Sequence, residues 1–388
     1  MRKIFLLYLL LLFQTSFSQT DSCGLRITLL TCSPGEELYS TFGHTAVRVQ
    51  HTATGTDEVF NYGMFAFNPD FYPKFIKGKL LYQLGVETYP DFAYTYQYER
   101  RSVAEQELRF SCGQKEKLWM ALRENAKEEN KHYRYDFLFD NCTTRARDMI
   151  AQQAGARVQF QNILPAERLT FRNMLHTYLD SGRQYWSKLG IDLLLGAKLD
   201  RQVTNKEAMF LPDYLMKAVD KAKFENGPLA TPPATILQMP AVHKQAGLFR
   251  PVVVFTLLLL LVVLLSRGKG PKALSLLRMF DKVFFLVLGL AGLLLLFMWF
   301  GTDHRVCRDN LNLLWALPTH LAAAFFAGRS TDGARSYFKA VFWGMLLLLA
   351  AWAFLPQQLN IALLPLILLI AVRSYQLSKP EAYAHRNN

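Results

Sequence analysis

The stretch beyond Arg250 leaves this chain the least freedom. Residues 251–266, 283–300, 311–328, 340–355 and 361–372 form five apolar blocks separated by short polar loops. In lipid a backbone must satisfy its own hydrogen bonds, so each block reads as a helix. The last block is short and contains Pro365. The expectation is a five-helix transmembrane bundle over 251–376, ending in a tail at 377–388. Between residues 19 and 249 no apolar run approaches the roughly 18 residues that a spanning helix needs. That stretch therefore reads as a domain folded in water.

The N-terminus says on which side of the membrane it folds. Arg2 and Lys3 precede the apolar run 4–13, and Ser16-Phe17-Ser18 comes after it. A positive start, a short apolar core and small residues two apart describe a secretory signal peptide. Cleavage is expected after Ser18, with an exported domain over 19–223. Pro228, Pro232, Pro233 and Pro240 make 224–250 an expected linker down to the membrane.

Charge supplies an independent check. If the first span runs inward, the inner loops and tail carry eleven basic residues: Arg267, Lys269, Lys272, Arg278, Lys282, Arg329, Arg335, Lys339, Arg373, Lys379 and Arg386. The outer loops carry only Arg305 and Arg308. Such a bias orients the bundle with its C-terminus inside, so much of the formal charge of +13 is an orientation signal. Residues 19–250 hold 29 basic against 26 acidic side chains, which argues against nucleic acid as a partner.

Within the exported domain, LRITLL at 25–30 suits a buried strand. HTAVRVQ at 44–50 and VFNYGMF at 59–65 flank a Gly-containing turn and form an expected hairpin. Residues 113–129 read as a charged helix. Further on, FDNCTTRARDMIAQQAG places Asp140 or Asn141 as the cap of a helix that Cys142 opens and Gly155 closes.

A thiol in a first helical turn faces unpaired N–H groups and the positive end of the dipole, both of which favour thiolate. The dipole is worth under ~1 kcal/mol, so a base is needed as well. His44, at a strand start, is the candidate base, and Asn61, across the hairpin, the candidate orienter of its ring. Other readings stay open on these residues alone. Cys142 can be a small core residue, His44 can hydrogen-bond the turn before it, and Asn61 can be an ordinary strand residue. Arg145 can meet phosphate or pair with Asp140, and Asp303 and His304 can bind a headgroup or brace the outer domain. Cys23, Cys32, Cys112 and Cys307 show no metal-ligand spacing, and there is no Gly-rich phosphate loop, so neither metal nor cofactor is expected.

The order of a histidine on a strand, a polar residue on the next strand and Asn-Cys opening a helix resembles the circularly permuted papain-like fold. That superfamily includes NlpC-type cell-wall peptidases and lecithin:retinol acyltransferase. LLTCSPGEELYSTFGHTAVRV, VFNYGMFAFNPDFYPKFIKGKL, YRYDFLFDNCTTRARDMI and TDHRVCRDNLNLLWALP are similar to the Gram-negative lipoprotein N-acyltransferase family called Lnb. The resemblance implies an α+β, circularly permuted papain-like domain joined to membrane helices in the inner membrane. It also implies transfer of an acyl chain from a phospholipid to the N-terminal amine of a diacylated lipoprotein. On this view Cys142 is the nucleophile and His44 the base; the permuted relatives often carry His where Asn61 stands. Phe65, Phe67, Phe71, Tyr72 and Phe75 can then form an apolar lid or acyl groove, or an ordinary core. Two other functions compete: a cell-wall cysteine amidase or peptidase using the same pair, and a non-catalytic, membrane-anchored binding module.

Overall fold

The computed structural model describes residues 23–380 apart from 66–69, 80, 226, 241–246, 269 and 330. The expected signal peptide, Phe67 and most of the expected tail lie outside the described residues, as do the side chains of Phe71, Tyr72 and Phe75.

The outer domain is built on one antiparallel sheet. Its strands are β1 (Leu25–Cys32), β2 (His44–His51), β3 (Thr56–Met64), β4 (Leu81–Thr88), β5 (Val103–Glu107), β6 (His132–Arg134) and β10 (Ala234–Leu237). They lie in the order β10-β5-β1-β2-β3-β4-β6. A second, three-stranded sheet joins β7 (Val158–Gln159), β8 (Lys223–Phe224) and β9 (Gly227–Pro228).

β1 is apolar along nearly its whole length because both of its faces are covered. Ile27 and Leu29 meet helices α2 (Cys112–Asn125), α3 (Cys142–Ala154) and α6 (Pro212–Lys221), while Leu30 and Cys32 meet Phe92 and Tyr96 of α1 (Tyr89–Tyr98). A disulfide between Cys23 and Cys112 ties the start of β1 to the start of α2. Helix α2 stops at Asn125, short of the expected 129, because Ala126 already serves as its C-cap.

Three expectations need correction. First, the expected linker 224–250 is partly built into the domain. Phe224 of β8 and all of β9 lie in its first half, and β10 pairs with β5 as the sheet's edge. Pro228 lies in β9, itself an edge strand, where a missing N–H is tolerated, and Pro232, Pro233 and Pro240 flank β10.

Second, the expected second span is only the outer part of a 30-residue helix, α8 (Pro271–Phe300). Charged residues at 272–282 end an apolar block without ending a helix, since Lys, Arg and Leu are all good helix formers. Third, 311–328 is not one continuous helix. It contains a 3₁₀ turn (Leu311–Leu314) and the short helix α9 (His320–Phe326). This stretch packs against α8 at Gly289 and Gly292, where a Cβ would fall 2.2 Å from the Leu321 nitrogen and 2.3 Å from the Ala316 oxygen. Irregular backbone at membrane depth is tolerated where protein buries it.

The other helices of this region are α7 (Pro251–Leu265), α10 (Asp332–Ala350) and α11 (Leu363–Leu377). α8 is the one helix among the described residues that is long and apolar enough by itself to cross a membrane, and α7 and α11 are shorter apolar helices. Between α8 and α11, Asp281 and Arg373 form a buried ion pair.

Helices α4 (Phe171–Ser181) and α5 (Tyr185–Leu194) link the two halves. Arg172 reaches Asp192 at 2.8 Å and Asp200 at 2.9 Å, and both Arg172 and Asp192 are fully buried. From the membrane half, Asn360 donates to the Asp192 carboxylate at 2.8 Å and Asn312 to its backbone oxygen at 2.9 Å. Trp186 donates to the Phe249 carbonyl at 3.1 Å, marking where the outer domain meets the entry of α7.

Candidate active site

The site is assembled where α3 abuts β2 and β3. Asn141 caps the helix with its full hydrogen-bonding capacity. Its side-chain oxygen accepts from the Thr143 and Thr144 N–H groups, both at 2.9 Å. Its amide donates to the carbonyls of Phe137 at 2.8 Å and Phe210 at 2.9 Å. The buried cap thus fixes where the first turn begins, and the Cys142 N–H is the first-turn donor that it leaves uncapped.

His44 opens β2 opposite Cys32. Its Nε2 lies 2.6 Å from Asn61 Oδ1. The Asn61 amide in turn donates to Glu87 Oε1 at 2.8 Å. Glu87, an acceptor when ionised, obliges Asn61 to present its oxygen to the imidazole. That oxygen accepts the Nε2 proton, so Nδ1 is the ring nitrogen left for the thiol.

Electrostatics match this arrangement. Burial pushes the Cys142 thiol up, but the His44 ring, the Thr45 backbone N–H and the Thr143 hydroxyl bring it down to about 7. Burial pulls the His44 ring down, and the Cys142 sulfur together with Asn61 outweighs it, leaving the ring above its ordinary value. Shared by one pair, these two shifts describe a proton moving from sulfur to imidazole near neutrality. Cys32 behaves differently: burial pushes its thiol up to about 12, so it stays protonated and is a poor nucleophile.

Gly63 clears the space in front of the sulfur. Its φ of +90° suits glycine, and β3 shifts register between Asn61 and Met64. A Cβ there would lie 3.7 Å from Cys142 Cβ and 4.0 Å from His44 Cε1. A side chain at 63 would therefore abut both groups.

The structure brings Cys142, His44 and Asn61 together. Arg145 is engaged elsewhere: it grips Asp140 at 2.6 and 2.9 Å and lies over the Tyr133 ring. Asp303 and His304 lie beside Gly78, where a Cβ would fall 3.1 Å from the His304 nitrogen. The Asp303 N–H donates to the Lys77 carbonyl at 3.0 Å, and its carboxylate lies 3.8 Å from Arg134. Glu87, Thr45, Thr143 and Gly63 are missed by sequence reasoning. Glu87 faces Val59 across the β3–β4 ladder, and no local spacing reports that register.

The architecture is that of a membrane-bound protein whose outer α+β domain presents a paired thiol and imidazole. Residues 13–177 match the Lnb N-terminal periplasmic domain, and residues 243–379 match the Lnb transmembrane domain. The chain belongs to the Lnb family, with a periplasmic N-terminal domain and a helical region that the family model names for five transmembrane helices. No curated protein and no solved structure matches it.

Proposed function

We propose that this protein is a lipoprotein N-acyltransferase that works through a thioester on Cys142, in a circularly permuted papain-like domain. The observation that carries the reading is Cys142 opening an Asn-capped helix against His44, whose ring is held by Asn61 at 2.6 Å, in a family that combines a periplasmic and a transmembrane domain.

In the first half-reaction the thiolate attacks the ester carbonyl of a phospholipid. The tetrahedral intermediate expels the lysophospholipid oxygen, which takes the proton held by the His44 imidazolium. In the second, the N-terminal amine of a diacylated lipoprotein attacks the thioester, His44 accepts the amine proton and the thiolate leaves. Splitting the transfer in two is the advantage of covalent catalysis. Asn61 keeps the ring oriented through both halves. Since both substrates are anchored in lipid, a membrane domain joined to the site keeps the thiol near them.

Arg145, Asp303 and His304 enter as contacts for substrate. Asp303 and His304 stand at the outer end of α8 beside the 77–79 loop, a place suited to a headgroup, and Arg145 needs to exchange Asp140 for phosphate. The eleven-to-two basic bias supports an inner-membrane topology with the C-terminus in the cytoplasm. Reporter fusions within 267–278 should be active only on the cytoplasmic side, and periplasmic activity would overturn the orientation.

The test of function is intact-mass analysis of the full chain incubated with phospholipid vesicles and no acceptor. Wild type should gain one acyl adduct that neutral hydroxylamine removes. Cys142→Ala should gain none and should leave lipoproteins diacylated; triacylation by that variant at the wild-type rate would end the thioester mechanism.

A further inference from the structure

Tyr133, on the short edge strand β6, is buried, at 6% exposure, yet among the described residues its hydroxyl has no hydrogen-bond partner. Its neighbour Tyr62 shows the ordinary outcome: that hydroxyl donates to Asn125 at 2.6 Å. A buried donor left unmet costs about 1–3 kcal/mol and calls for an explanation, and of the buried orphans, which include Thr31 Oγ1 and Trp119 Nε1, the Tyr133 hydroxyl is the one beside Gly63.

Its position gives the answer. A Cβ built on Gly63 would lie 4.0 Å from the Tyr133 oxygen, 3.7 Å from Cys142 Cβ and 4.0 Å from His44 Cε1. Three side chains therefore surround one atom-sized space, bounded by the nucleophile, the base and a free donor. We propose that the Tyr133 hydroxyl donates a hydrogen bond to the oxyanion formed when Cys142 attacks an acyl carbonyl, acting with the Cys142 N–H. This rests on the acyl-transfer reading above and adds a catalytic residue to it.

The surroundings suit a fixed, neutral donor. The Arg145 guanidinium, held by Asp140, lies 3.6 Å from the centre of the Tyr133 ring, and Tyr62 meets the same ring edge-on at 6.3 Å. Burial, reinforced by the Cys142 sulfur, holds the phenol far above its ordinary value, so it keeps its proton at any physiological pH. No proton is transferred: the oxyanion collapses, the acyl–oxygen bond of the donor lipid breaks, and the phenol stays as it was.

Tyr133→Phe removes the donor and keeps the ring. The full chain, with phospholipid vesicles and no acceptor, should form the acyl adduct about 100-fold more slowly, as loss of one oxyanion donor costs 10²–10³-fold. Alkylation of Cys142 by iodoacetamide, which develops no oxyanion, should stay within twofold of wild type and also reports an intact site. A 3-fluorotyrosine at 133 keeps the donor and should retain the adduct rate within a few-fold. Adduct formation by Tyr133→Phe at the wild-type rate overturns the assignment and leaves the acyl-transfer reading standing. Equal loss of adduct formation and alkylation also overturns it, since the hydroxyl would then act on the thiol. A wild-type chain that never forms the adduct overturns both.

Discussion

At Cys142 the competition between burial and its polar neighbours is decided by His44. Without that ring the helix dipole supplies under ~1 kcal/mol, less than one pH unit. Alkylation of Cys142 should therefore follow a pH profile with its midpoint at about 7, rising with pH as thiolate forms. In His44→Ala the midpoint should move up toward the ordinary thiol range near ~8.5, so alkylation at pH 6 should slow by more than about tenfold while recovering in alkali. An unchanged midpoint would show that the ring does not set the thiol. Residue by residue, the placement of Cys142 at a helix start and of His44 at a strand start is legible from local pattern, while their pairing as thiol and base comes from the family resemblance. Glu87 is not legible, because its bond to Asn61 depends on how two strands align.

Helix α3 is the element on which the site depends. Its limits, Cys142 to Gly155, come from local chemistry: an Asx side chain before the first turn and a glycine after the last, with φ at +66°. What the local pattern does not show is that the cap is also a bolt. Asn141 donates to Phe137 and Phe210, the latter 69 residues away. An ordinary N-cap loss costs about 1 kcal/mol; the buried Phe210 carbonyl and the half-buried Phe137 carbonyl, left without this donor, raise it. Asn141→Ala should therefore destabilise the domain by about 2 kcal/mol or more, read as a lower midpoint in chemical denaturation. It should also raise the Cys142 alkylation midpoint, because the first turn loses its anchor. A stability within a few tenths of wild type would show that the cap is dispensable. The stretch at 311–328 illustrates the reverse case. Composition there says membrane span, and the structure breaks it, because packing against the glycines of α8 outweighs helix continuity.

Across the whole molecule, the join between the halves is polar and buried. Asp192 takes Arg172 and His176 from the outer domain and Asn360 from the membrane half. Removing one partner of a buried ion pair costs about 3–5 kcal/mol, and Asp200 remains to hold Arg172. Asp192→Ala should cost about 3 kcal/mol and should expose the join to limited proteolysis in the full chain. If proteolysis and unfolding are unchanged, the two halves are held by apolar contacts alone.

Sequence by itself determined the parts that depend on near neighbours. These are the apolar blocks of a membrane half, the basic asymmetry along its loops, the hairpin that carries His44 and Asn61, and the capped helix that Cys142 opens. Each rests on periodicity, capping or charge within a few residues, where backbone geometry is nearly independent of the rest of the fold. Tertiary structure alone decided which of these parts meet. It pairs Val59 with Glu87 and opens a space at Gly63. It sets Asp192 between domains and leaves the Tyr133 hydroxyl beside Gly63 without a partner among the described residues. Those outcomes depend on strand register and side-chain packing between residues far apart in the chain, and no short window of sequence holds both sides of such a contact.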